Sequence, residues 1–227
     1  MINSLLAKIS SLSKSNNDDQ VYDIIMEQLK CESNDINLWL ALAIVSAAPP
    51  FGDDETSIRC INKAFAIDDK CVLALLILAH TYEFVELRGI DDALLYKIEN
   101  FQADSNELSS MLKYVASWAY CWNRKNNPIK EEQLLKKSIE FCGDHVWNYV
   151  QLADLYFKQG RKTEAYLLID KALGNIKKVY TLENISEYDS TSIDDFINAR
   201  IKGTHITSEN VESIRDLLVR NNDMFLM

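Results

Sequence analysis

The sequence predicts an all-α fold that uses one helix–turn–helix unit repeatedly. Three observations carry that prediction. Breakers are scarce, with 6 Gly and 3 Pro in 227 residues, and helix formers such as Leu, Ala, Lys and Glu are plentiful. Four alanines stand in one register, Ala43, Ala79, Ala116 and Ala153, at intervals of 36, 37 and 37 residues. Each gap between the two helices of a unit carries Gly, Pro or Asn, the residues that stop helices and make turns.

The elements follow in chain order. Two helices are expected first, Ile2 to Leu12 and Asp18 to Lys30. The first helix of each unit then surrounds its alanine: WLALAIVS, LLILAHTY, LKYVASWA and YVQLADLY. Four residues before each alanine stands Trp39, Leu75, Leu112 or Tyr149, and one before it stands Leu42, Leu78, Val115 or Leu152. Offsets of three and four share a helix face. Large residues can fill the inside there, while the alanine lets a neighbouring helix come close. A second helix follows each turn. TSIRCINKAFAI comes after Pro49-Pro50-Phe51-Gly52, and DDALLYKIENF after Arg88-Gly89. IKEEQLLKKSIEF comes after NRKNNP, and KTEAYLLIDKAL after Gly160. Beyond residue 178 the pattern breaks, because Glu187 falls where the next small residue belongs. A loop and two further helices are expected there, Ser192 to Gly203 and Ser208 to Arg220, the first opened by Ser192 with Asp195. Thr181 to Met227 holds nine acidic and four basic residues, and a polar terminal unit suits an acidic cap.

This pattern resembles the tetratricopeptide repeat, with W-x2-L-G-x2-Y in its first helix and alanines in its second. Tyr149, Leu152, Ala153, Tyr156, Gly160, Ala165, Ile169 and Ala172 all fall in that register. The units depart from the family in their length of 36–37 residues and in lacking the usual proline after the second helix. The resemblance implies a right-handed α-solenoid with a C-terminal helical cap, forming one domain over 1–227. Within it, 1–35 would be an N-terminal helical pair, 36–178 four repeats, and 179–227 the acidic cap.

Charge and cysteines narrow the function. Net charge is −10, from 24 basic and 34 acidic residues. Binding to nucleic acid or anionic membranes works by neutralising phosphates with Lys and Arg, so neither partner is expected. The five cysteines, Cys31, Cys60, Cys71, Cys121 and Cys142, form no CxxC and are odd in number. They read as reduced thiols of a cytoplasmic protein. No convincing signal peptide or bilayer-length apolar run is present.

No catalytic or cofactor motif emerges. The acidic pairs Asp18-Asp19, Asp53-Asp54, Asp91-Asp92, Glu131-Glu132 and Asp194-Asp195 stand at or just inside expected helix starts. A carboxylate there caps free N–H groups and meets the positive end of the helix dipole. Cys142 and His145 flank a Gly143 read as a helix C-cap and an Asp144 read as the next N-cap. Two such ligands fall short of the three or four a zinc site needs. No enzyme activity, cofactor or metal is therefore expected, and a hydrolase without a recognisable motif is the least supported reading.

The resemblance implies that the first helices line a concave groove that holds a partner. At those positions the candidate contacts are His80, Phe84, Lys113, Ser117, Tyr120, Trp147, Asp154 and Phe157. The branch of the family that grips chaperone C-termini needs Lys three before and Asn one after the small residue. Here those places hold Leu40 and Ile44, Leu76 and His80, Lys113 and Ser117, Val150 and Asp154, so that carboxylate clamp is absent. The reading is a protein-binding module with an apolar, aromatic groove and an acidic surface. Its charge matches a basic partner, such as the toxin of an immunity-type pair. The alternative is a structural subunit that assembles with itself, as a homodimer or within a complex.

Overall fold

A computed structural model of the chain describes residues 18–47, 52–121 and 124–179. Among them there are helices and no strands. We number the α-helices α1 (Asp18–Cys31), α2 (Ile36–Ala47), α3 (Asp54–Ile67), α4 (Val72–His80) and α5 (Asp92–Asn100). They continue with α6 (Asn106–Trp118), α7 (Pro128–Phe141), α8 (Val146–Lys158) and α9 (Lys162–Val179). Expected and observed elements coincide in kind and order over this range. The expected helices 2–12, 192–203 and 208–220 lie outside the described residues.

Local chemistry sets the starts. Asp53 Oδ1 accepts the Thr56 amide at 2.9 Å and Asp91 Oδ1 the Leu94 amide at 2.8 Å. Ser105 Oγ and Asn127 Oδ1 do the same for α6 and α7, and Pro128 opens α7 where a missing N–H costs nothing. Hydrogen bonding to Thr56 holds the Asp53 carboxyl below its ordinary range. One start differs from expectation. His145, not Asp144, precedes α8, and it makes no side-chain cap. Cys142, one residue before Gly143, ends α7.

The helices fall into two compact units, residues 18–101 and 102–179. In the first, α2 packs on α1, α3 and α4. Its α4 widens at the end into one π turn, Thr81–Val85. Thr81 Oγ1 donates to the Ile77 carbonyl at 3.0 Å, a back-bond that bends the backbone away from ideal helix. Leu87 follows in the left-handed region with φ 56°. In the second unit α6 packs on α7, α7 on α8, and α8 on α9. The α8–α9 connection is Gln159, Gly160 and Arg161. Gly160 has φ 75°, which a side chain would strain, although a Cβ there would meet nothing within 4 Å.

The four register alanines are fully buried, as are Ala64, Ala165 and Ala172 of the second helices. Large residues are buried with them: Leu38, Leu42, Ile61 and Leu75 in the first unit, Leu112, Leu135, Leu152 and Ile169 in the second. Interiors packed at this density have no room for added methylenes. Ala153→Leu should therefore destabilise the chain by about 1–3 kcal/mol. A urea titration would show a lower midpoint with an unchanged slope, and an unchanged midpoint would refute the close-approach role of Ala153.

Candidate interaction surface

The second unit builds its first-helix surface on polar ties. Ser110 Oγ of α6 donates to the Ser138 carbonyl of α7 at 2.8 Å, and Ser138 Oγ returns a bond to the Ser110 carbonyl at 2.6 Å. Asn148 Nδ2 of α8 donates to Ser110 Oγ at 3.2 Å. One buried cluster therefore joins three helices. A second tie lies along the same faces. Gln151 Nε2 of α8 donates to Ser117 Oγ of α6 and to Glu131 Oε1 of α7, both at 3.1 Å. Ser117 Oγ in turn donates to the Tyr114 carbonyl at 2.6 Å.

The third tie closes the far end of α8. Tyr156 Oη donates to Glu132 Oε1 at 2.8 Å, and Arg161 Nη1 donates to Glu132 Oε2 at 2.9 Å. The Arg161 guanidinium carbon lies 3.5 Å from the Tyr156 ring centroid, and the same group grips Glu164 at 2.7 and 2.8 Å. Burial pushes the Glu132 carboxyl upward, but hydrogen bonds from Lys136, Tyr156 and Arg161 outweigh it and hold the group below its ordinary range. Glu131 is the opposite case. Burial pushes its carboxyl up, and the Gln151 bond and the Lys158 charge offset only part of that. Burial pushes the hydroxyl of Tyr114, a partly buried side chain, up to about 12. Its ring stands edge-on to Trp118 at 5.3 Å and to His145 at 4.9 Å.

With its inner positions held in this way, α8 turns a different stripe outward. Trp147, Val150 and Asp154 are half-exposed, one helical turn apart. Asp154 pairs with Lys158 on the next turn. Phe157 is also half-buried, but it lies edge-on to Tyr166 of α9 at 5.3 Å, so it serves its own hairpin. On α6, Lys113 is half-buried and Ser117 fully buried, which makes Ser117 a brace beneath the surface. Tyr120, just past α6, has Lys130 Nζ 5.9 Å from its ring centroid. His80 and Phe84 belong to the first unit. His80 is half-buried at the end of α4. The Phe84 backbone is in the π turn, and its side chain lies outside the described residues.

Sequence reasoning assigned Glu131 and Glu132 to the α7 dipole and missed their cross-helix bonds, as it missed Gln151 and Ser138. Their partners are 20 to 34 residues away along the chain, beyond any local pattern. Among the described residues no group of three or more His, Cys, Asp or Glu side chains is placed to hold a metal ion. No helix there is long and apolar enough to cross a membrane.

No family model and no curated protein matches this sequence. Solved structures of MamA are similar to it. One, titled a crystal structure of MamA, superposes with a TM-score of 0.56 at 17% identity over 74% of this chain and 93% of that chain. A second gives 0.55 at 18% over 79% and 95%. A MamA RS-1 ArsTM double mutant gives 0.58 at 13% over 78% and 96%. The fold is a tetratricopeptide-like helical repeat. At such identities the likeness carries the fold, and functional argument rests on this chain's own residues.

Glu131 yields a prediction for pH. A carboxyl whose folded pKa is raised leaves the folded chain holding more protons than the unfolded one between the two values. Stability is thus fully present below the ordinary Glu pKa of about 4.3 and is lost as pH rises through the higher folded value. Glu131→Gln keeps a carbonyl for Gln151 and removes that loss. The variant should gain stability over the natural chain as pH is raised from about 4 to 8, in urea titrations across that range. A difference that stays constant with pH would show that Glu131 titrates normally.

Proposed function

We propose that the chain is a protein-binding module whose partner docks on the outward stripe of α8, with Lys113 of α6 beside the same register. The observation that carries this is the contrast within α8. Asn148, Gln151 and Tyr156 are committed to hydrogen bonds with α6 and α7, and Trp147, Val150 and Asp154 are left half-exposed on a rigid element. An aromatic anchor next to an apolar residue and a carboxylate is the composition that carries binding energy at interfaces. Helical repeats commonly offer such a surface to another protein, and a scaffold or interaction role accords with the fold.

The finer reading is a basic partner in a reducing compartment. A chain of net charge −10 attracts and steers a cationic protein. None of the five cysteines is in a disulfide, and burial pushes Cys60 up to about 11, which keeps it inert. Neutralisation of a basic toxin is one role of this kind. A self-assembling subunit is the second reading, supported by the exposed Ile129 and Phe141 on α7, which apolar contact between copies would cover.

A photo-crosslinking residue at Val150 should capture the partner in its native lysate, and the same residue at the exposed Lys137 of α7 should not. Trp147→Ala should weaken that partner's binding by tenfold or more, in line with the roughly 2 kcal/mol or more typical of buried aromatic anchors. Affinity should fall as salt is raised. Equal capture from both positions, with full binding by Trp147→Ala, would reject the α8 surface. Light scattering that shows a salt-insensitive dimer crosslinked through α7 would favour self-assembly.

A further inference from the structure

Gln151 stands beside Trp147 and Asp154 on the outward stripe of α8. At roughly 100° per residue the three lie within about 60° of one another, and all are half-exposed. Two before the register alanine, where Gln151 stands, the other first helices hold Ala41, Ile77 and Tyr114. One after it, where Asp154 stands, they hold Ile44, His80 and Ser117. The repeat framework therefore requires neither an amide nor a carboxylate at these places. The neighbours beneath Gln151 decide which way its amide turns. Ser117 Oγ has one proton, which goes to the Tyr114 carbonyl, so it meets Gln151 as an acceptor. Glu131 Oε1 accepts as well. An amide set between two acceptors turns its nitrogen toward them, because its oxygen would face their lone pairs. Nε2 accordingly gives both protons inward, at 3.1 Å each. The atom left over is Oε1, which takes no bond from the described residues. Next to it on the stripe is the Asp154 carboxylate, paired with the exposed Lys158.

We infer that Gln151 Oε1 and the Asp154 carboxylate, with Trp147 beside them, form a subsite for an arginine side chain of the partner. The inference rests on α8 as the docking surface and adds the group that is recognised there. A pair of acceptors selects a group that donates and does not accept, which leaves the side chains of Arg and Lys. Residues three apart on a helix stand about 5–6 Å apart at Cβ. The forked guanidinium spans such a pair with separate N–H groups, and its flat face can lie on the indole of Trp147. A lysine ammonium matches the charge, but it is a compact, strongly hydrated point that cannot stack. The arriving arginine displaces Lys158 from Asp154, an exposed pair that holds weakly. Gln151 is a positioned reader: its nitrogen is tied to α6 and α7, so its oxygen is oriented before the partner arrives.

Two end-blocked Gly/Ser peptides test this on the full-length chain, one carrying arginines and the other the same number of lysines at the same places. Calorimetry reads the affinity, and the indole N–H of Trp147 and the side-chain amide of Gln151 report the site by NMR. The arginine peptide should bind tighter by about fivefold, the scale of one well-placed stacking contact, and should shift both signals. Gln151→Met should make the two affinities equal, with helicity checked by circular dichroism. Asp154→Asn changes only an exposed pair and spares the fold, so it keeps the test decisive if Gln151→Met unfolds. It should likewise shrink the preference for arginine. Equal affinity of the two peptides, binding by neither, shifts confined to other helices, or a preference that survives both substitutions overturns the subsite. Docking on α8 is read separately by crosslinking at Val150, and it can stand when the arginine preference fails. A preference that holds while Val150 captures nothing would keep the subsite and reject the partner surface.

Discussion

Close approach of helices at four alanines is the constraint on which the other contacts depend. Ala43, Ala79, Ala116 and Ala153 have no accessible surface, and the residue before each, Leu42, Leu78, Val115 or Leu152, is buried with it. Only where backbones come this near can two short serine side chains reach across a helix pair. The reciprocal Ser110–Ser138 bonds, at 2.8 and 2.6 Å, are such a case. A neutral hydrogen bond weakens steeply once its atoms separate beyond about 3.2 Å. A larger residue at Ala116 would therefore disturb the packing and unmake the polar ties together.

The two units secure their helices by different means. In the first, α2 and α4 present almost nothing but Leu, Ile, Val and Ala, and burial of apolar area supplies the cohesion. Such contacts are strong and nondirectional. In the second, the first helices carry Ser110, Ser117, Asn148 and Gln151 at buried or half-buried positions, each with a named partner. Hydrogen bonds are directional, so a satisfied network fixes register and rotation as an apolar seam does not. Breaking one partner leaves a buried polar group unpaid at a cost of about 1–3 kcal/mol. The second unit thus spends polar side chains on precision, and that precision sits under the surface proposed to meet a partner.

Much of this was legible in the sequence because helical hairpins are local objects. The alanine register, the turn residues and the caps Asp53 and Asp91 lie within a few positions of what they control. Asp18 to Lys30 was expected as a helix and runs Asp18–Cys31. The misses share a different physical origin. Asp144 has the chemistry of a cap, but α8 begins after His145, whose ring packs edge-on against Tyr114 of α6. The π turn at Thr81 depends on one hydroxyl choosing a carbonyl a turn back. Glu131 and Glu132 carry the right charge for a helix start, yet their environment is set by residues of α8 and of its turn that no window around α7 contains. Of the candidate contacts, Trp147 and Asp154 face outward, whereas Ser117 shares their register and lies inside. Register gives the angular position of a residue. It does not say what a neighbouring helix places over it.

Charge and contact would divide the work of recognition on such a surface. Fields from a net charge of −10 are screened over about 8 Å at physiological ionic strength. They raise the rate of encounter with any cationic protein and discriminate poorly among them. Discrimination has to come from groups that touch. Asp154 and Lys158 form an exposed pair, with side chains 41% and 46% accessible, and exposed pairs of this kind hold each other by little. An incoming guanidinium could take the place of Lys158 at small cost. Trp147 and Val150 would then supply the apolar contact that makes the exchange worthwhile. Because Asn148, Gln151 and Tyr156 already fix α8 from behind, docking would not have to order the helix first, and less of the contact energy is lost to entropy. A basic partner would be drawn in by the charge of the whole chain and selected by three residues on one helix.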